Sequence, residues 1–139
     1  MTRPNGAVGV RQHIGALALV VPDYDAAIDF YVGKLGFELL EDLRLTPEKR
    51  WGTVAPPGGL AGSRLVLAQA VGPRQQAAIG NQTGGRVFLF LHTDNFSRDH
   101  ARLLAAGVMF EEAPRHEPYG LVAVWQDPFG NRWDLLELV

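Results

Sequence analysis

Asp134 is the residue of this 139-residue chain best placed to do chemistry. It stands in Arg132-Trp133-Asp134-Leu135-Leu136, and the stretch Gly130-Asn-Arg-Trp-Asp-Leu-Leu around it parallels an earlier one, Gly62-Ser-Arg-Leu-Val-Leu-Ala. Arg64 therefore answers to Arg132, and Val66 to Asp134. On a strand the two-residue period puts each arginine on the same face as the residue two places further on. Two arginines so placed could grip an anionic ligand through forked hydrogen bonds. The plainer alternatives are that Arg132 pairs with Asp134, or that both guanidiniums reach solvent at strand ends. Asp134 is open to two readings as well: a base or hydrogen-bond acceptor, with burial raising its pKa, or a salt-bridged sheet residue. Two histidines could join it in acid-base work. His92 ends the apolar run Phe88-Leu-Phe-Leu-His, and His116 lies in the loop Pro114-Arg-His-Glu-Pro-Tyr-Gly, which also carries Tyr119.

Composition removes other chemistries. The absence of cysteine excludes disulfides, thiolate nucleophiles and zinc-thiolate sites together. Thirteen basic residues against fifteen acidic ones give a net charge of −2, so nothing draws nucleic acid or a membrane surface over long range. No apolar run approaches the roughly 18 residues that span a bilayer, and the N-terminus lacks a signal-peptide apolar core. A cytoplasmic location is expected. The chain has no Gly-x-Ser-x-Gly elbow, phosphate loop or dinucleotide fingerprint.

The elements that must position these residues come in two copies. Leu-Ala-Leu-Val-Val-Pro-Asp (17–23) precedes a helix-like stretch ending in Leu35-Gly36-Phe37. Phe-Leu-Phe-Leu-His-Thr-Asp (88–94) precedes another ending in Ala106-Gly107-Val108. A period this long is not that of a solenoid, whose units run roughly 20–50 residues. It predicts one small module made twice: a leader over 1–10, a first module over 11–70, a polar, glycine-rich connector over 71–86 and a second module over 87–139. Residues 14–21 read as a strand buried on both faces. Asp23 or Asp25 can cap the helix that follows, Ile28, Tyr31 and Leu35 give its buried stripe, and Gly36 suits a left-handed C-terminal cap. Strands follow over 37–43, 51–55 and 64–70. The second half repeats the order with strand 87–93, a helix over 97–106, and strands 108–112, 120–126 and 131–138. Each module is β-α-β-β-β, with a parallel crossover and then a meander.

With Phe30-Tyr31…Leu35-Gly36-Phe37 and the closing Asp127-Pro-Phe-Gly-Asn-Arg-Trp-Asp-Leu, this order resembles the vicinal oxygen chelate superfamily. That group includes glyoxalase I, extradiol dioxygenases and bleomycin- or fosfomycin-resistance proteins. The resemblance covers about residues 12–138. It implies an α+β fold in which two tandem βαβββ modules, related by a pseudo-twofold, form a cup-shaped mixed sheet, and it implies a homodimer. It does not fix the reaction, because one scaffold hosts several chemistries.

Enzymes of that superfamily hold a divalent metal in the cup through His or Glu side chains on four equivalent strands, as Lewis-acid help to two substrate oxygens. Carried onto this chain, the four positions are Ala16, Val66, Phe88 (or Val87) and Asp134. Of these only Asp134 can ligate, too few for a catalytic site that uses about three protein ligands. His13 has the opposite strand parity to Ala16, His92 shares the parity of Phe88, and His100 falls in the second helix. The expectation is that no metal binds. Ile14, Ala16, Ala18, Phe88, Phe90 and Leu136 would make an apolar pocket, as small-molecule sites usually have. Trp133 should face the core, while Trp51 and Trp125 could line the pocket or pack the sheets. Phe88, Phe90, His92, Arg64, Arg132, Asp134 and Tyr119 are the candidate ligand contacts. Two functions stand open: a cofactor-free protein that binds a small anionic or aromatic organic molecule, or a divergent metal-dependent lyase or dioxygenase with a relocated divalent-metal site and acid-base work by Asp134 with His92 or His116.

Overall fold

The computed structural model of the chain describes residues 9–59 and 62–139, so most of the leader expected over 1–10 lies outside it. The fold is α+β, built from two mixed sheets. The first comprises β1 (Ala16–Val21), β2 (Glu38–Arg44), β3 (Arg50–Ala55) and β4 (Arg64–Gln69), in the order β1-β4-β3-β2. The second comprises β5 (Leu89–His92), β6 (Met109–Phe110), β7 (Arg115–Glu117), β8 (Gly120–Gln126) and β9 (Arg132–Leu138). Its order is β5-β9-β8-β6, with β7 also paired to β8. In both sheets the first strand runs parallel to the last, with Ala18 beside Val66 and Phe90 beside Asp134. The remaining pairs are antiparallel.

The crossovers show why these residues form helices. Asp23 caps α1 (Tyr24–Ile28) by accepting from the Ala26 N–H at 2.8 Å, and Asn95 caps α3 (Phe96–Ala105) by accepting from the Arg98 N–H at 3.0 Å. Each satisfies a backbone donor that the helix itself cannot. Gly36 and Gly107 end the two segments at φ 85°, the left-handed conformation in which a side chain would be strained. After Ile28 the first helix widens into a π-helical turn, Asp29–Lys34, in which the Leu35 N–H reaches back five residues to the Phe30 carbonyl at 2.8 Å. Spacing alone predicts an ordinary helix here. In the wider turn the consecutive aromatics Phe30 and Tyr31 are both buried. The connector also departs from its expected glycine-rich loop, because α2 (Gly72–Ala78) forms within it. Pro73 sits in the first turn and the Gln75 side chain accepts from the Val71 N–H at 2.8 Å.

Both sheets place one face on a single core. Leu19, Val21, Val54, Leu65 and Leu67 come from the first, and Ala123, Trp125, Trp133 and Leu135 from the second. The helical segment over 24–34 lies between these faces. α1 contacts β3 and β4, while Phe30 packs on Trp125 (ring centroids 6.0 Å apart) and Tyr31 on Trp133 (5.9 Å). Trp125 and Trp133 stack at 5.0 Å, so both tryptophans belong to the core rather than to a pocket. A buried hydrogen-bond node ties the halves together. The Tyr31 hydroxyl donates to Asp127 Oδ2 at 2.6 Å, and the same carboxylate accepts from the Asn131 side-chain amide and from the Phe129 and Asn131 N–H groups. Burial, and after it the Asp127 charge, raise the Tyr31 pKa well above that of a free phenol, so Tyr31 stays a donor.

The expectation that residues 14–21 are buried on both faces does not hold. In β1 only Leu19 and Val21 are buried, Ala16 and Ala18 are exposed, and Ile14 lies before the strand at 73% exposure. The run is apolar throughout because its inner face meets the core while its outer face carries small side chains. The free edge of β1 is closed by Gln82, whose amide accepts from the Val20 N–H (3.3 Å) and donates to the Val20 carbonyl (2.9 Å).

Candidate functional site

The outer faces of the two sheets, turned away from the shared core, carry the residues singled out by the sequence. On the second sheet, β9 presents Arg132, Asp134 and Leu136, and its neighbours present Phe90 and His92 on β5 and Val122, Val124 and Gln126 on β8. Val122, Val124 and Leu136 are buried without joining the core cluster, and form an apolar floor. Phe90 stands directly beside Asp134 and is 58% exposed. Phe88 precedes β5, and its N–H bonds to the Arg132 carbonyl at 2.7 Å. The first sheet repeats the plan in smaller residues: Ala16, Ala18, Val66 and Thr53 lie in register, with Arg64 at the position of Arg132.

Arg132 does not pair with Asp134, the carboxylate that sequence spacing suggests, and Arg64 meets a glutamate of another strand. Arg132 makes a two-pronged pair with Glu111, Nε to Oε2 at 2.8 Å and Nη2 to Oε1 at 2.9 Å, and its third donor reaches the Gly85 carbonyl. That guanidinium holds the Glu111 carboxyl below its ordinary range. Arg64 meets Glu41 at 3.5 Å, the equivalent pair on the first sheet, and Thr53 donates to the same glutamate oxygen at 3.2 Å. Arg115 is held between Glu112 (2.8 Å) and Glu117 (2.6 Å), while the other oxygen of Glu112 accepts from the Val124 N–H.

Asp134 makes no ion pair or hydrogen bond among the described residues, and its Oδ1 is buried without a partner there. Burial raises its pKa above the usual carboxylate value. Arg115 and Arg132 pull it down from nearby, and Glu112 and Glu111 push it up. Asp134 as a whole is half-buried, so its carboxylate, unpaired on the face above an apolar floor, can receive a hydrogen-bond donor from outside the chain.

The other candidates are dispersed. His92 is exposed on the Asp134 face, one register step along β5 from Phe90 on that side. His116 pairs with Leu121, whose side chain packs on the core, so it has the opposite parity from Asp134. Tyr119 is exposed at the β7–β8 turn, beyond the Gly120–Leu138 pair and four residues along β9 from Asp134. His100 is packed between Phe96 and Phe110, with ring centroids 5.4 and 4.6 Å away. His13 is exposed before β1. Glu41, Glu111 and Glu112 escape a sequence reading, because a cross-strand partner is visible only once the β2–β3 and β6–β8 registers are known.

These residues do not suit a divalent metal. Ala16 or its neighbour Ala18, Val66, and Phe88 or Phe90 offer no lone pair, which leaves the Asp134 carboxylate as the one donor among them. Among the described residues no three His, Asp or Glu side chains converge to hold an ion. Two adjoining clefts open between the modules, of about 690 Å³ and about 430 Å³. Phe37, Leu91 and the 56–58 turn border both, and Arg102 and Leu103 border the larger. His92 borders both and Phe90 the smaller one, but Asp134 lines neither. Asp134 thus lies apart from these two clefts, on a sheet face turned away from the shared core.

A two-sheet chain with paired parallel-first strands, equivalent caps and equivalent arginine–glutamate pairs is a duplicated βαβββ protein. The chain belongs to the Glyoxalase/Bleomycin resistance protein/Dioxygenase superfamily, whose profile matches residues 13–135. It is 53% identical over 130 residues to an uncharacterized protein of Shewanella frigidimarina (strain NCIMB 400), covering 93% of this chain and 96% of that one. Among solved structures it resembles UcmS2, with 31% identity, a TM-score of 0.79, and 91% of this chain and 98% of that one covered. It also resembles TnmS3, described as an antibiotic binding protein from Streptomyces sp. CB03234, with 34% identity, a TM-score of 0.73, and 93% and 98% covered. No helix among the described residues is long and apolar enough to cross a membrane.

Proposed function

We propose that the protein binds a small organic molecule with an aromatic or apolar frame on the outer faces of its sheets, without a metal ion. The observation that carries this is Asp134, a buried unpaired acceptor set beside an exposed phenylalanine and above an apolar floor of Val122, Val124 and Leu136. The likeness to the antibiotic binding protein TnmS3 over nearly the whole chain supports it. So does the donor set, which could not complete the coordination that the superfamily's enzymes use. An anion gripped by Arg132 would have to compete with Glu111 for its fork.

In this proposal a homodimer completes the site. A second copy laying the small-residue face of its first sheet (Ala16, Ala18, Val66) against the face bearing Asp134 would turn two open surfaces into one enclosed cup. Trp51 and Phe90, both exposed, supply aromatic surface for that cup. The test is a thermal-shift screen of antibiotics and aromatic metabolites in the presence of a chelator. Selective binding stabilises the folded state by mass action, by about 2.7 kcal/mol at a hundred times the dissociation constant. Hits that survive chelation and appear with a dimer in light scattering support the proposal. A dependence of every hit on added divalent metal overturns it.

A further inference from the structure

The charge pattern around Asp134 says more about the ligand than its size or frame does. Four carboxylates (Glu111, Glu112, Glu117 and Asp134) and two guanidiniums (Arg115 and Arg132) surround the outer face of the second sheet, leaving the group two charges negative. Both guanidiniums are already engaged with carboxylates. Arg132 forks onto Glu111 and also donates to the Gly85 carbonyl, and Arg115 is divided between Glu112 and Glu117. The glutamates are spent in return, on the arginines, on the Gln126 amide and on the Val124 N–H. Of these four carboxylates, Asp134 is the one with a buried oxygen that accepts from nothing among the described residues.

We infer that the ligand presents a protonated amine, carried on an aromatic or apolar frame, to Asp134, so that the site selects cations over anions. This rests on the small-molecule proposal above and names the chemical class it takes. An ammonium group answers each feature at once. It supplies the donor that the partly exposed Asp134 carboxylate lacks, it offsets the excess negative charge, and it brings its own positive charge beside the exposed Phe90 ring, whose face attracts cations. The apolar floor receives the rest of the molecule. Arg132, one of the two residues whose spacing suggests an anion clamp, acts instead as a tie that holds Glu111 in place.

The experiment compares three probes of one shape: naphthalen-1-ylmethylammonium, the neutral naphthalen-1-ylmethanol and naphthalene-1-carboxylate. Each is titrated calorimetrically into the full-length protein at low salt and then into Asp134→Asn, whose fold is checked by near-ultraviolet circular dichroism. A charge-assisted hydrogen bond makes the ammonium bind about tenfold or more tightly than the carboxylate, and Asp134→Asn removes about tenfold of that affinity while leaving the alcohol within about twofold. Tighter binding of the carboxylate, or an ammonium affinity untouched by Asp134→Asn, overturns the inference. Equal binding of all three to both proteins also overturns it, and leaves the small-molecule site itself standing. Failure of all three together with an empty thermal-shift screen removes the site, and this inference with it.

Discussion

Asp134→Leu should make the ligand-free protein more stable, which is the reverse of what loss of a structural ion pair would do. The wild-type side chain buries Oδ1 without a partner, and an acceptor desolvated in this way costs about 1–3 kcal/mol. Only one of its two oxygens is in that state, so the lower end of the range applies, about 1 kcal/mol. Leucine would sit among Phe90, Val124 and Leu136 and bury further apolar surface on the same floor. For a chain of this size about 1 kcal/mol corresponds to a rise in Tm of roughly 2–5 °C. The pH dependence carries a definite sign. Because the folded-state pKa of Asp134 lies above its unfolded value, ionisation weakens the fold. The penalty is complete at neutral pH and vanishes as the pH falls below about 4, where the carboxyl is neutral in both states. The groups that face it are Arg132 on its own strand, Glu111 beyond β6, Glu112 and Arg115 at β7, and His92 on β5, and the variant retains all of them. Urea unfolding followed by the fluorescence of the buried tryptophans, at fixed protein concentration and at pH 7 and pH 4, reads both quantities. A variant about 1 kcal/mol or more less stable than wild type at pH 7 would refute the reasoning. So would an advantage that grows on acidification.

Other consequences are as direct. Tyr31→Phe removes the 2.6 Å bond to Asp127 and should cost about 1.5–3 kcal/mol in the same urea assay, since the partner is a carboxylate. The raised Tyr31 pKa means that its stabilisation is complete below about pH 10 and is lost above it, so wild type and Tyr31→Phe should converge in alkali. Gly120→Ala should be severe, about 3 kcal/mol or more, because a Cβ there would lie 2.0 Å from the Glu137 carbonyl oxygen at a φ of 148°; little soluble protein on expression is the expected result. Gln82→Ala uncovers the edge of β1 and should cost about 1–2 kcal/mol and raise the tendency to aggregate in light scattering.

Much of this architecture is legible in the chain itself, because it depends on local chemistry and on the repeat. Asp23 and Gly36 on either side of the Ile28, Tyr31 and Leu35 stripe, and Gly107 at the repeat of Gly36, mark the bounds of the crossover helices, while the cap of the second is Asn95 and not Asp94, the residue that the repeat matches with Asp23. The two-residue period separates Trp133, in the core, from Asp134, outside it. What escapes the sequence depends on register and on packing. The partner of Arg132 is Glu111, just past the end of β6, and the partner of Arg64 is Glu41, which follows an irregularity in the β2–β3 ladder between Leu39 and Glu41. Neither follows from spacing along a single strand. His116 reads as a neighbour of Asp134 until its pairing with Leu121 gives it the other parity. The largest difference concerns the cup. A duplicated module suggests one cleft between two faces, whereas Phe30 and Tyr31 join the halves through their inner faces and turn the outer ones away from each other.

The central claim, that ligand binds on the outer faces around Asp134 without metal, is tested most directly by amide chemical-shift mapping of a screening hit in chelator-treated, isotope-labelled protein. The prediction is saturable shifts centred on Phe90, His92, Val124, Asp134 and Leu136 of the second sheet and on Ala18 and Val66 of the first. Shifts confined to the cleft between the modules, at Leu35, Phe37, Arg102 and Leu103, or a response that appears only when a divalent metal is restored, would contradict it.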